Sequence, residues 1–346
     1  MRTIIHNIYI IRYILVLLTG VFALTGCDVH EFPEASERVR ITLHLNFATD
    51  WEVQEEIVSK QRSLPICDMR YIIKAFPAGT DDYAHAETFT FLRSARDGYD
   101  CSFTIDIPEG RYDIRVWSDL VEPGMTDDRF YGTADFARIS LIGEHCGNTD
   151  ERDAFRGTCP VELVSTIKET LPAEYTVEMV RPLAKFEFIT TDLDEFINKV
   201  VQETEAAQGR TGTDTDSRSV ISRVTEDYRV VFYYTGFMPD VFSHISDKPV
   251  DSATGVSFTS TIEPLNEKEA SLGFDHVFIN THNTTVQVAV GLTDADGKLL
   301  FVSNPIDVPI RRSYHTIVRG RFLTQQAAGG VVINPDFDDD INIVLP

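Results

Sequence analysis

The sequence predicts a mainly β protein built as two tandem antiparallel β-sandwich domains. Three observations predict it. Short runs of alternating apolar and polar residues recur along the chain, each bounded by turn residues, as half-buried strands require. Only one stretch repeats its apolar residues at helical spacing. The 346 residues leave about 320 once an N-terminal leader is removed, enough for two cores of roughly 150 residues each.

In chain order, Ile41, Leu43, Leu45 and Phe47 alternate with Thr42, His44 and Asn46 as a first strand. Met69–Phe76 and Thr88–Leu92 supply the next two. Phe103, Ile105 and Ile107 alternate with Ser102, Thr104 and Asp106, and Tyr112, Ile114 and Val116 return after Pro108-Glu-Gly110. Residues 101–117 therefore read as a β-hairpin. Ala134–Leu141 and Val161–Val164 are shorter strands, separated by a loop from Gly143 to Gly157. Val177–Thr190 is rich in β-formers but broken by Pro182, which lacks the N–H that a ladder needs. An edge, a bulge or a domain crossing is expected there, and the boundary falls between residues 39–181 and 182–346.

Asp192 precedes Leu193, Phe196, Ile197, Val200 and Val201, which share a helical face, with Glu195 placed for a capping box. Gly209–Ser219 reads as a surface loop. Strands resume at Tyr228–Tyr234, Val256–Ile262, Phe274–Ile279, Thr285–Leu292, Lys298–Val302 and Tyr314–Leu323. Asp294-Ala-Asp-Gly297 has the beginning of a calcium loop, but Pro305 stands where the twelfth-position glutamate belongs. Asp-Gly supplies the positive-φ turn of a hairpin, so a hairpin is expected. The last run, Ile341–Leu345, follows the acidic Asp338–Asp340 and must pair with a sheet to persist.

The leader decides where the chain lives. Arg2 and Arg12 precede the uncharged run Tyr13–Leu24, too short to span hydrocarbon as a helix, so residues 1–26 read as a secretory signal peptide. Leu24-Thr-Gly-Cys27 ends it as a bacterial lipobox, which makes Cys27 the lipidated N-terminus and residues 27–38 a polar tether. An outer-membrane, lipid-anchored, surface location follows as the expectation.

Residues 1–26 hold two of the 31 basic residues and no acid, so the mature chain carries 54 acidic against 29 basic residues, a formal charge of −25. Such a chain is poorly suited to nucleic acid or to an anionic membrane surface, both of which are bound through Lys and Arg. The lipid must do the anchoring. No nucleophile elbow, zinc-binding His pair or phosphate-cradling loop occurs, so neither an enzyme nor a cofactor is expected. Cys67 and Cys101 share the apolar phase of their strands and either pair across the sandwich or sit as buried thiols. Cys146 and Cys159, thirteen residues apart, are the expected disulfide, worth about 3 kcal/mol by loop closure.

Five stretches together resemble one family: Cys27-Asp-Val-His-Glu-Phe-Pro-Glu34, Tyr131-Gly-Thr-Ala-Asp-Phe-Ala137, Gly147-Asn-Thr-Asp-Glu-Arg-Asp-Ala-Phe-Arg-Gly157, Val180-Arg-Pro-Leu-Ala-Lys-Phe-Glu-Phe188 and Ile333-Asn-Pro-Asp-Phe337. In this order behind a lipobox they look like the fimbrillin-associated anchor lipoproteins of Bacteroidetes (FimB/Mfa type). The resemblance implies two transthyretin-like sandwiches and a lipid-anchored fimbrial subunit. In that role the protein forms the base on which shaft subunits assemble by β-strand addition and which limits fimbria length. It brings no catalytic residues. A surface lipoprotein that binds a glycan or protein is the alternative. It calls for clustered exposed aromatics, whereas Trp51 and Trp117 are far apart in sequence. The tail either closes the protein's own second domain or pairs with a neighbour, and the lipid at the opposite terminus favours the first.

Overall fold

The computed structural model describes residues 37–49, 66–79, 86–163, 172–208, 221, 224–280, 284–324 and 342–344. The lipobox, Cys27, Trp51, the 209–219 loop and Asp338–Asp340 lie outside them.

The first half contains β1 (Arg38–Phe47), β2 (Asp68–Pro77), β3 (Glu87–Ser94), β4 (Cys101–Pro108) and β5 (Gly110–Val121). Then come the short β6 (Tyr131–Gly132) and β7 (Ile139–Leu141), followed by β8 (Ala154–Leu163) and β9 (Ala173–Met179). Sheet β4-β1-β9 faces sheet β3-β2-β5-β8. Between them Ile41, Leu43 and Leu45 meet Tyr71, Ile73, Ile114 and Val116 in one apolar core. The period-two pattern dictates this, because it turns every second residue of each strand inward.

The second half contains β10 (Leu183–Thr190), the helix α1 (Leu193–Gln208), β11 (Arg229–Tyr234), β12 (Met238–Ser243), β13 (Lys248–Ala253) and β14 (Ser257–Ser260). It continues with β15 (Glu263–Pro264), β16 (Ala270–Phe278), β17 (Thr284–Thr293), β18 (Leu299–Val302), β19 (Ile306–Ile310), β20 (His315–Gly320) and β21 (Asn342–Val344). Sheet β15-β16-β10-β20-β21 faces β14-β11-β17-β18, with β19 also on β17. Phe186, Phe188, Phe232, Val288 and Val290 fill the space between, and Leu193 and Phe196 of α1 join them.

The two halves repeat one plan. In each, the first strand (β1 or β10) is central, with an antiparallel neighbour on one side (β4 or β16) and a parallel, later strand on the other (β9 or β20). The expected antiparallel arrangement therefore holds for most of the ladder but not for β1/β9, β10/β20 or β20/β21, which are parallel. Pro182 stands at the crossing, between β9 of the first sandwich and β10 of the second.

Four local expectations need correction. Residues 101–117 are not a hairpin: β4 pairs with β1, while β5 pairs with β2 and β8 in the opposite sheet. The chain arches across the core at Pro108-Glu-Gly110. Period-two alternation fits both geometries, because an arch and a hairpin each point every second residue at the core. Strand β8 begins at Ala154, inside the segment expected to be loop up to Gly157, and the expected 134–141 strand shrinks to Ile139–Leu141. Asp192 is no capping box either. Its carboxylate accepts from Thr324 N at 2.8 Å and Thr324 Oγ1 at 2.6 Å, while Glu195 reaches Arg321. The 294–297 hairpin is present as expected: Asp294 Oδ1 accepts from Lys298 N at 2.9 Å and Gly297 has φ 76.

Candidate functional site: the seam between the sandwiches and the tail edge

In sheet β3-β2-β5-β8 the central strand β2 and most of β5 are buried on both faces. The sheet's inner face is the first core; from its outer face Ile72, Phe76 and Trp117 enter a separate cluster with Tyr131, Phe136, Ile139, Leu183, Phe242 and Phe278. This cluster joins the halves. Tyr131 packs edge-on against Trp117, with ring centroids 5.4 Å apart, and lies 5.6 Å from Phe278. Phe242 stacks on Phe278 at 5.5 Å, and β12 adds its ladder to β7 through Val241↔Ser140 and Phe242↔Ile139.

Charged side chains on the same face hold the covering segment. Arg70 spans Asp119 with two bonds of 2.9 and 2.7 Å and donates to Thr126 O at 2.7 Å and Asp128 at 2.8 Å. Lys74 donates to Ala134 O at 2.6 Å and stands 4.3 Å from the centre of the Phe136 ring. Burial lowers the Lys74 pKa. His244 also stacks on Phe136, at 5.2 Å, and donates from Nε2 to Val116 O at 3.0 Å. Its burial pushes the imidazole down to about 4.

A second set of ionic contacts crosses the seam from the 145–156 segment. Asp275 of β16, fully buried, accepts from His145 Nε2 at 2.7 Å, from Tyr234 OH at 2.6 Å and from the Arg152 guanidinium. Arg152 also donates to Cys146 O at 2.9 Å and His276 O at 3.2 Å. Burial opposes ionisation of Asp275, but Arg152, His145 and Tyr234 outweigh it and hold the carboxyl below its usual range. Burial likewise opposes the Arg152 charge, and Asp275 outweighs it. Beside them Lys185 reaches Asp150 at 2.8 Å, and Arg181 spans Asp153 at 2.8 and 3.0 Å. Asp247 accepts from Arg156 of the first half and from Arg312 of the second, the latter at 3.0 and 2.9 Å. Each charge is paired and hydrogen-bonded, the condition under which burial is tolerated.

The seam encloses a recess of about 140 Å³ lined by His145, Cys146, Arg152, Met238, Asp240 and Val256, among others. Among the described residues, no group of three or more His, Cys, Asp or Glu is placed to hold a metal ion, and no helix is long and apolar enough to cross a membrane.

The other feature is an edge. β21 lies parallel to β20, with Ile317↔Asn342, Val318↔Ile343 and Arg319↔Val344 in register, as the outermost strand of its sheet.

Residues 34–346 match the model of a family described as a family of unknown function (DUF6562). The chain belongs to that family. No curated protein matches this DUF6562 member. Among solved structures, it is similar to an adhesin candidate from Bacteroides ovatus, at 12% identity and TM-score 0.41 over 93% of this chain and 98% of that one. It is also similar to the fimbrial anchor protein Mfa2 from Porphyromonas gingivalis, at 12% identity and TM-score 0.34 over 76% and 82% of the two chains. The tip fimbrial protein Mfa3 from the same organism, with a C-terminal truncation, gives 12% identity and TM-score 0.37 over 82% and 94%. Such values carry no functional conclusion for this chain.

In this DUF6562 chain the expected disulfide is not formed. Cys67, Cys101, Cys146 and Cys159 are all free thiols. Cys159 faces the first core from β8, whereas Cys146 is exposed on the loop that carries His145 to Asp275. Two residues close in sequence are thus drawn one to the seam and the other into the first core. Cys67 and Cys101 both face the first core, as their phase predicts. Three of the stretches that carry the family resemblance, 131–137, 147–157 and 180–188, converge on the seam through Tyr131, Arg152 and Lys185. Sequence reasoning missed Asp275, Asp247 and Arg312. A signal existed for the first: Asp275-His276 interrupts an otherwise apolar run, and all nine residues of β16 are buried.

Proposed function

We propose that this chain is a lipid-anchored fimbrial subunit, the base of a fimbria on the cell surface, held in the outer membrane by lipid on Cys27. Residues 39–181 and 182–346 act as its two domains, and shaft subunits join it by β-strand addition, in which main-chain hydrogen bonds supply affinity. The role is structural rather than catalytic. Ending the polymer at the membrane limits fimbria length.

The observation that carries this reading is β21, seated beside β20 in the protein's own sheet. A chain whose last strand already fills an edge has none to donate, so it suits the end of a polymer. The lipobox at the opposite terminus supports the same role, since a membrane-fixed subunit needs a shaft on one side only. Against the binding alternative stand the fully buried Trp117, which offers no sugar-stacking face, and the seam recess, below the roughly 300 Å³ at which ligand pockets begin.

The test is made in the native envelope. Tagged protein is expected to co-purify shaft subunits, and Cys27→Ala to lose palmitate incorporation and shed fimbriae into the medium. Fimbriae of unchanged length and attachment in Cys27→Ala cells would overturn the proposal.

A further inference from the structure

The two parallel ladders have a consequence for force. The chain enters the first sandwich through β1 and leaves it through β9, and these two strands are hydrogen-bonded neighbours over seven residue pairs, from Ile41↔Ala173 to Phe47↔Met179. It enters the second through β10, which pairs over six positions with β20, from Lys185↔His315 to Thr190↔Gly320, and the three-pair parallel ladder of β21 on β20 is sheared before the load reaches them. In a parallel pair, the start of one strand and the end of the other lie at opposite ends of the ladder. Tension applied at Arg38 and Met179 therefore drags β1 and β9 past each other along their common axis. The ladder bonds are loaded together, in shear, rather than opened one after another.

We infer that each sandwich is a shear clamp, so that this chain resists being pulled apart by its ends. Further contacts, beyond the ladder bonds themselves, reinforce both clamps. Ala48 N donates to Met179 O at 3.0 Å and Asn46 Nδ2 to Glu178 Oε1 at 3.2 Å across the first. Thr191 N donates to Gly320 O at 2.8 Å across the second, and Glu187 lies 3.2 Å from His315. Val180, Arg181 and Pro182 are all that separate β9 from β10, so load leaving one clamp passes straight into the next. Arg181 is itself pinned to Asp153 of the first half. The same topology appears twice in one chain, and end-to-end tension passes through both ladders. Its use rests on the fimbrial reading, in which the anchor lipid and the shaft pull from opposite ends; the mechanical resistance itself does not.

Single-molecule pulling tests it in two geometries. Handles at the ends of the mature chain are expected to give two separate high-force events, each releasing roughly 500 Å, the extended length of about 140 residues. In the second geometry, handles sit on Asn46→Cys and Glu178→Cys, exposed partners at the same end of the β1/β9 ladder, with Cys146→Ser removing the thiol that is exposed among the described residues. This peels the first clamp open bond by bond, and its rupture force is expected to fall at least about twofold at the same loading rate, since each ladder bond is then broken singly. A thermal melt matching that of the parent shows that the variant is folded. Equal forces in the two geometries, or end-to-end extension without force peaks, would overturn the inference. Failure of shaft subunits to co-purify would strike the fimbrial reading alone and leave this measurement standing.

Discussion

Replacing Asp275 by Asn removes one negative charge from the seam while keeping the side chain's size. The carboxylate is fully buried and serves Arg152, His145, Tyr234 and the N–H of His276, the last at 2.7 Å. Removing one partner of a buried ion pair costs about 3–5 kcal/mol, because the other charge is left without its counterion. Arg152 keeps Cys146 O and His276 O, which puts the expected loss near the lower end, about 3 kcal/mol. For a cooperative unit of this size that is a fall in Tm of roughly 6–12 °C. Urea unfolding of the purified mature chain reads it as a lower midpoint at unchanged m, since the surface exposed on unfolding is the same. Arg152→Met completes a double-mutant cycle, and in the double variant the second substitution is expected to cost less than it does alone. A loss in Asp275→Asn below about 1 kcal/mol, or strict additivity in the cycle, would refute the seam as the place where the halves are held.

Three further outcomes follow from the same geometry. His244 is depressed from 6.5 to about 4, so the folded state refuses a proton that the unfolded chain accepts. Stability is fully present above pH 6.5 and declines as pH falls toward 4, by about 3 kcal/mol, with His276, also lowered by burial, acting in the same direction. Unfolding midpoints across this range check it, and His244→Phe is expected to flatten the slope. Native protein prepared without reductant is expected to alkylate at Cys146, with Cys67 and Cys159 reacting only on unfolding; a Cys146–Cys159 peptide in the unreduced digest would contradict this. Deleting residues 342–346 removes the three-residue ladder on β20 and is expected to lower monomer stability by about 2 kcal/mol, whereas an unchanged melt with lost shaft attachment would mean that the tail works in a neighbour.

The sequence by itself determined the class of the protein and most of its strands. Alternation is local, and a strand such as β1 must bury Ile41, Leu43 and Leu45 whatever lies opposite. Chain chemistry likewise marked the crossing at Pro182, where a ladder donor is missing, and the hairpin at Asp294–Gly297, whose bonds close within five residues. Tertiary structure decided the rest. Whether β4 and β5 form a hairpin or an arch depends on which sheet each joins, and the inward residues are the same in both cases. Asp192 looks like a helix cap until the chain 132 residues later brings Thr324 N to its carboxylate. Arg152 and Asp275, 123 residues apart, form a pair only because two sandwiches dock. Cys146 and Cys159, close enough in sequence to suggest a bond, are separated because one belongs to the seam and the other to the first core. Periodicity records which way a residue faces relative to its own strand; what it faces is set by elements far along the chain, and the pairing of charges across the seam follows from that placement alone.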